Sequence, residues 1–298
     1  MKTNLSRRHF IRTAALTSTA AMVPIVSHAT TDMKKVKPIP LNTNPLKIGV
    51  MTYTLAKDWD IETIIKNLTE TGYKSVELRT THKHGVEVSL SSSQRTEVKN
   101  RFKDSALETI SLASGFMYHS PDPAELKKNI EGTKEYLLLA RDVNATGIRV
   151  FGNALPKDVP EEKTMEQIGK SLAEVGEFGH NLGVEVRICI HGQKTDDPVV
   201  IKKILDYANS PHVYVNWNCG RMDNAGKGLA YNFNLVKDRL TGVHMHELWE
   251  DYPYREFFQL LAGIGFKGYC NAEIDGNADP IRLMKYYKAL FLSLQNAV

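Results

Sequence analysis

The chain has 298 residues, with 38 basic and 34 acidic side chains, a net charge of +4 and three cysteines. Four of the bases, Lys2, Arg7, Arg8 and Arg12, lie in the first 29 residues, which carry no acid, so the remainder holds 34 of each sign. That balance excludes the basic face that nucleic-acid binding requires. Cys189, Cys219 and Cys270 are odd in number and sit in apolar runs, which excludes a disulfide framework.

The N-terminus reads as an export signal. Ser6-Arg7-Arg8-His9-Phe10 carries a twin arginine, a mildly apolar run extends from Ala14 to Val26, and Ser27-His28-Ala29 offers a small-residue cleavage site. The run falls well short of the roughly 20 residues that span a bilayer. Residues 1–29 are therefore expected to be a twin-arginine signal peptide, which places the mature protein in the periplasm with no membrane attachment. Residues 30–46, with three prolines, read as a linker, and residues 47–298 as one folded domain.

From residue 47 a single phrase repeats: a short β-branched or aromatic run, a polar loop, then an amphipathic stretch. The strand-like runs are Lys47–Leu55, Ser75–Thr80, Glu108–Phe116, Gly147–Asn153, Glu185–His191, Val213–Asn218, Gly242–Leu248 and Tyr269–Ile274. Helical periodicity fills the gaps, as in Glu62–Leu68 and Thr164–Phe178, and Gly72, Gly147, Gly183 and Gly268 stand where helix C-caps are expected. Eight βα units in about 250 residues predict an α/β fold, a (β/α)8 TIM barrel. The open doubly wound sheet is the competitor, but Thr52-Tyr53-Thr54-Leu55 is not the Gly-rich phosphate turn it usually carries after its first strand.

Barrel active sites lie at the C-terminal ends of the strands. Polar residues recur there: Glu77 and Arg79, with His82 and His84 just beyond; Arg149 and Asn153; His191; Asn216 and Asn218; His244, His246 and Glu247; Glu273 and Asp275. Residues two apart on a strand share a face, so His244 pairs with His246, Cys189 with His191, and Asn271 with Glu273. Imidazole nitrogens and carboxylate oxygens are ordinary ligands of Zn, Mn or Co.

Val76-Glu77-Leu78-Arg79, Val243-His244-Met245-His246-Glu247 and Tyr269-Cys270-Asn271-Ala272-Glu273 resemble the sugar phosphate isomerase/epimerase family of xylose isomerase-like TIM barrels, over residues 47–296. The resemblance implies one divalent metal held by a Glu from strand five, an Asp from strand six, a His from strand seven and a Glu from strand eight. The last two carry over to His244 and Glu273, and the strand-eight Glu also serves as an acid/base group. The first two fall on Cys189 and Asn218, which lose two negative charges. His191 is then expected to join His244, Glu273 and Asn218 as a ligand, with Asp223, Glu247 or Glu77 as further candidates for the missing charge.

The reading is a sugar isomerase or epimerase working on a free sugar or keto-sugar through an enediolate. Glu273, Glu77 and Glu247 are its acid/base candidates, and Arg79, His82, His84, Arg149, Asn153, His246 and Arg255 its substrate contacts. Arg255 belongs with Trp249, Tyr252, Tyr254, Phe257 and Phe258, an aromatic cluster half of which reads as helix core. Three readings compete: a keto-glycoside lyase using the same site, an exported carbohydrate-binding barrel without chemistry, and a metal-dependent hydrolase of the same superfamily. The neutral charge opposes the hydrolase. Barrels of this group often pair, so a homodimer is an open expectation.

Overall fold

The computed structural model describes residues 41–297. The expected export signal and residues 30–40 of the expected linker lie outside the described residues. The end of the linker runs along the C-terminal helix, where the Asn42 and Leu46 amides donate to the Asn296 carbonyl and the Gln295 side chain.

Eight parallel strands close into a barrel, each followed by a helix. In order these are β1 (Lys47–Met51), α1 (Ile61–Thr71), β2 (Ser75–Arg79), α2 (Ser92–Lys103), β3 (Thr109–Met117), α3 (Pro123–Asp142), β4 (Gly147–Ala154), α4 (Glu161–Asn181), β5 (Glu185–Gln193), α5 (Pro198–Ala208), β6 (Val213–Asn218), α6 (Leu229–Val236), β7 (Leu240–Met245), α7 (Tyr254–Gly263), β8 (Tyr269–Ala272) and α8 (Pro280–Leu294). All eight predicted strands are present. Four stop earlier than the sequence runs suggest: β1 turns away after Met51, β2 ends one residue early at Arg79, β7 ends at Met245, and β8 at Ala272. His246, Glu247 and Glu273 are therefore loop residues just beyond their strands, although the Glu273 amide still donates to the Met245 carbonyl.

Helix starts follow ordinary capping chemistry. Asp60, Ser91, Asp122, Asp197 and Asp279 each accept a backbone N–H of the first turn, and Pro opens α3, α5 and α8. Gly72 closes α1 in the left-handed conformation, and Gly183 after α4 is also left-handed. Gly147 and Gly268 are not caps. Asn144 and Gly265 take the positive φ in their place, while a Cβ on either glycine would collide with a neighbouring carbonyl oxygen, of Glu185 or of Thr241.

The apolar core lies between the barrel and its helices, where Val50, Leu78, Ile148, Ile188 and Val243 are buried. Trp217 stacks on Phe257 and packs against Phe233. Of the aromatic cluster, Tyr254, Phe257 and Phe258 belong to this core, while Trp249 is 75% exposed.

Inside the barrel the chemistry changes. The strand registers sort the inward residues into layers of four drawn from alternate strands. Gly49, Ser111, Arg187 and Gly242 form one layer; Glu77, Arg149, Asn216 and Asn271 the next; Met51, Ala113, Cys189 and His244 the third. Arg79, Phe151, Asn218 and Glu273 stand above them. Barrels of this architecture usually fill such layers with Val, Ile and Leu. Here the middle layer is entirely polar and the one below it is half glycine.

Candidate functional site

The centre of the site is one imidazole held between two carboxylates. His244, on β7, is 1% exposed. Its Nε2 lies 2.9 Å from Glu77 Oε1 below and its Nδ1 3.1 Å from Glu273 Oε2 above. Glu77 Oε2 accepts from Ser111 Oγ and Asn271 Nδ2, both at 3.3 Å.

Burial alone would favour the neutral form of all three groups, and it is outweighed. The two carboxylates hold the His244 imidazolium well above the ordinary histidine value. His244, Arg149 and Arg187 hold Glu77 ionised below the ordinary carboxylate value. His244, Arg149 and His246 bring Glu273 down to about 2.

Glu77 differs from the acid/base role expected of it. It is 1% exposed beneath His244, so it positions and charges the imidazole without facing the barrel mouth. Glu273 remains at the mouth, with its side chain 15% exposed. Glu247 is half-buried beyond β7, and burial raises its carboxyl above the ordinary value, with Glu250 and Asp275 adding to the shift. His246 sits beside Glu273, its Nδ1 3.3 Å from the Glu273 carbonyl oxygen.

His191, beyond Cys189 on β5, packs against Phe151 with ring centroids 5.2 Å apart. Burial lowers its value, only partly offset by the Glu273 charge, so it is neutral at pH 7 and carries a basic nitrogen. Cys189 is buried and accepts from Asn216 Nδ2 at 3.6 Å. Asn218 pairs in register with His244, and its Oδ1 is buried with no partner among the described residues. Among those residues no group of three or more His, Cys, Asp or Glu is arranged around one point that could hold a metal.

Other expected substrate contacts are placed differently. Arg149 is 4% exposed; its guanidinium lies 3.9 Å over the Phe151 ring and donates to the Ser114 carbonyl. It supplies charge to Glu77 and Glu273 from inside the barrel. His84 is also buried, donating through Nε2 to the Arg79 carbonyl and accepting the Val86 amide at Nδ1, so it braces its loop. Arg255 lies 3.5 Å from the Leu294 carbonyl and from Asn296 Oδ1 at the end of α8, with no contact to the central cluster.

Arg79 and His82 are brought together at the mouth. Arg79 can only donate, so His82 Nε2 accepts at 3.3 Å and Nδ1–H donates to Thr52 Oγ1 at 2.9 Å. Burial and the neighbouring Arg79 charge lower His82 to about 4, which keeps this ring neutral. Asn153, in the left-handed conformation at φ 73°, meets His119 Nε2 at 3.4 Å. Sequence reasoning missed Thr52 and His119. Both stand just past the C-terminal ends of their strands, the position that pointed to the others.

A second buried network flanks the site. Trp217 Nε1 donates to Tyr252 Oη, which donates to Asp223 Oδ2 at 2.8 Å; the Gly220 amide donates to the same oxygen. Burial raises Asp223 from 3.8 to about 7 despite these bonds. The folded chain therefore takes up a proton there, and stability is lost as pH rises from about 4 to about 7. In urea unfolding, Asp223→Asn is expected to flatten this dependence. Its stability relative to wild type should improve by on the order of 2 kcal/mol between pH 5 and pH 8. An unchanged difference across that range would show that Asp223 titrates normally.

Comparison with known proteins places the architecture. Residues 65–290 match the family model described as xylose isomerase-like TIM barrel. The chain belongs to that family. Solved barrels similar to it include 3-keto-D-glucoside 4-epimerase, YcjR, from E. coli, at 15% identity and TM-score 0.69, covering 83% of this chain and 99% of that one. An L-ribulose 3-epimerase matches at 14% identity and TM-score 0.71, over 84% and 94% of the two chains. The IolI protein with a bound zinc atom matches at 11% identity and TM-score 0.69, over 84% and 98%. At these identities the likeness is one of fold. No curated protein sequence matches the chain.

Proposed function

We propose that this family member is a sugar isomerase or epimerase that moves a proton next to a carbonyl of a free sugar or keto-sugar. The observation that carries the reading is the Glu77–His244–Glu273 column, which points a charged, preorganised carboxylate–imidazole pair at the mouth of the barrel. The epimerases among the similar folds, named for 3-keto-glucosides and L-ribulose, support a carbohydrate with a carbonyl.

One divalent ion would fit here only with His244 relieved of its Nδ1 proton, which in this structure is donated to Glu273 Oε2. His244 Nε2 is committed to Glu77, the carboxylate–histidine arrangement that orients a metal-binding imidazole. Deprotonated, Nδ1 would hold the ion together with Glu273 Oε2 in place of their present hydrogen bond, and the unpartnered Asn218 Oδ1 stands in register with His244. His191 supplies a neutral imidazole. When bound, Zn, Mn or Co would polarise the sugar carbonyl and stabilise the negative charge of an enediolate.

The chain's own residues do the rest. A carbon acid needs a base with an accessible lone pair, and neutral His191 and the raised Glu247 suit this better than Glu273, whose value near 2 fits a ligand or an electrostatic role. One of them takes the α-proton; protonation from the opposite face gives the epimer, and at the neighbouring carbon the isomer. Arg79 and neutral His82 supply hydrogen bonds to sugar hydroxyls at the mouth.

The Ser6–Ala29 export signal makes unphosphorylated sugars outside the cytoplasm the substrate class. No helix among the described residues is long and apolar enough to cross a membrane.

The test incubates the chain from residue 30 with 3-keto-glucosides and free ketoses in heavy water, after loading with Zn, Mn or Co. Enzyme-dependent deuterium at the carbon beside the carbonyl is expected, together with about one metal equivalent that a His244→Ala, Glu273→Ala variant lacks. Turnover without exchange ends the enediolate mechanism. Sugar binding with neither turnover nor metal would establish the non-catalytic carbohydrate-binding barrel, which the absence of a three-residue ligand cluster among the described residues favours.

A further inference from the structure

Of the three tryptophans, Trp217 lies in the core, Trp59 packs against it partly buried, and Trp249 is 75% exposed. Trp249 stands at the C-terminal mouth, on the loop that carries His246 and Glu247. That loop is fixed. Leu248 is buried, and the Glu250 and Tyr252 amides donate to the Glu247 and Glu250 carbonyls. The Tyr252 hydroxyl is tied to Trp217 and Asp223 beneath. The indole is oriented as well: its N–H faces the Glu247 carboxyl and offsets part of the rise that burial imposes there. A large aromatic surface is thus held in water beside an acid/base candidate, where it gains nothing from the core.

Its neighbours select what would cover it. Glu250 and Asp251 follow directly and are exposed. These carboxylates repel a phosphorylated ligand or an anionic bilayer surface. The apolar area is one side chain among polar groups, far below the roughly 800 Å² per partner of a stable protein interface. A single flat aromatic face on a polar rim suits one neutral ring, whose C–H or aromatic face lies on the indole while its edge stays in water. The loop after β1 adds a second aromatic. Strands β1 and β7 flank β8, and Thr54 Oγ1 of the β1 loop donates to Asp275 Oδ1 at 2.8 Å. Tyr53, next to Thr54, is 40% exposed. Exposed aromatic residues therefore stand on the loops either side of the strand that leads into Glu273.

We infer that Trp249 forms a second subsite, which takes the ring joined to the reacting sugar through its glycosidic oxygen, so that the substrate is a neutral glycoside rather than a free monosaccharide. This rests on the carbohydrate site proposed above and narrows its substrate class. The indole meets Glu247 at its N–H, and the rest of its surface projects beyond the acid/base groups. A monosaccharide seated at Glu273 and Glu247 leaves that surface in water; a glycoside covers it with its second ring.

The test titrates the chain from residue 30 with 3-keto-glucosides that differ only in the anomeric group: methyl, phenyl or glucosyl. Affinities and the tryptophan indole N–H signals are followed by NMR, and the Trp249 signal is identified by its loss in Trp249→Ala. The phenyl and glucosyl compounds distinguish an aromatic aglycone from a second sugar. The wild type is expected to bind at least one of them about fivefold more tightly than the methyl compound, with the Trp249 signal moving on saturation. That preference should fall below about twofold in Trp249→Ala and return in Trp249→Phe, which keeps a ring. The side chain is exposed, so neither substitution opens the core. Binding is read without turnover, so the outcome is independent of whether the site is catalytic. If none of the compounds binds the wild type, the carbohydrate reading and the subsite fall together. If the methyl compound binds as tightly as both others, or if the preference survives Trp249→Ala, the subsite alone is overturned.

Discussion

Glu273→Gln is expected to lower kcat/KM about a thousandfold on whichever keto-sugar the wild type turns over, while leaving the fold intact. Glutamine is nearly isosteric and keeps an oxygen near His244 Nδ1, so the change removes charge rather than shape. Two losses then overlap rather than multiply, because the same charge serves both. The site gives up the one carboxylate at the mouth that is held fully ionised, by His244 and Arg149, and with it the charge that would hold a divalent ion. Removing a single preorganised electrostatic group from an active site costs about a hundred- to a thousandfold, and loss of Lewis-acid assistance is of similar size. The fold should tolerate the change because His244 keeps its bond to Glu77 and the layers below are untouched. Steady-state kinetics with circular dichroism as a control checks this. Turnover within tenfold of wild type would remove Glu273 from the mechanism and transfer the role to Glu247 and His191.

The fold was legible because a barrel is written in the chain eight times over. Each strand is short, every helix but α6 begins at Asp, Ser or Pro, and the period switches from 2 to 3.6 between them. The site was legible where it depends on position along a strand: His244, Glu273, Asn218 and His191 all stand at C-terminal ends. It was illegible where it depends on depth. Nothing in Val76-Glu77-Leu78-Arg79 distinguishes a carboxylate at the mouth from one two layers down; that follows from the stagger of eight strands, which is fixed only when the barrel closes. Arg149 and His84 failed for the same reason. Both are polar residues at the right end of a unit, yet one lies under Phe151 and the other turns back onto its own loop. Arg255 failed because the loop between β7 and α7 sets its direction, and sequence spacing does not carry through such a loop.

Glu77→Leu is expected to destabilise the protein by about 3–5 kcal/mol at pH 7, the cost of breaking a buried ion pair by removing one partner. Leucine fills similar volume, so the effect is electrostatic. It leaves His244 with one carboxylate instead of two, and Arg149 and Arg187 without the anion between them. Ser111 and Asn271 lose their acceptor as well. Glu77→Gln keeps an acceptor for His244 Nε2 and should lose about half as much. The sign with pH follows from the depressed value of Glu77 in the folded state: its stabilisation is present above the ordinary carboxylate value and is lost as pH falls through the folded value, so the gap between wild type and Glu77→Leu should close under acid conditions. Urea unfolding at pH 7 and pH 3 measures it. The same variants separate charge from packing through His244, whose titration, followed by NMR of the ring protons, should fall toward the ordinary histidine value in both. A Glu77→Leu protein within 1 kcal/mol of wild type, with His244 still charged at pH 8, would mean that Glu273 alone holds the imidazolium.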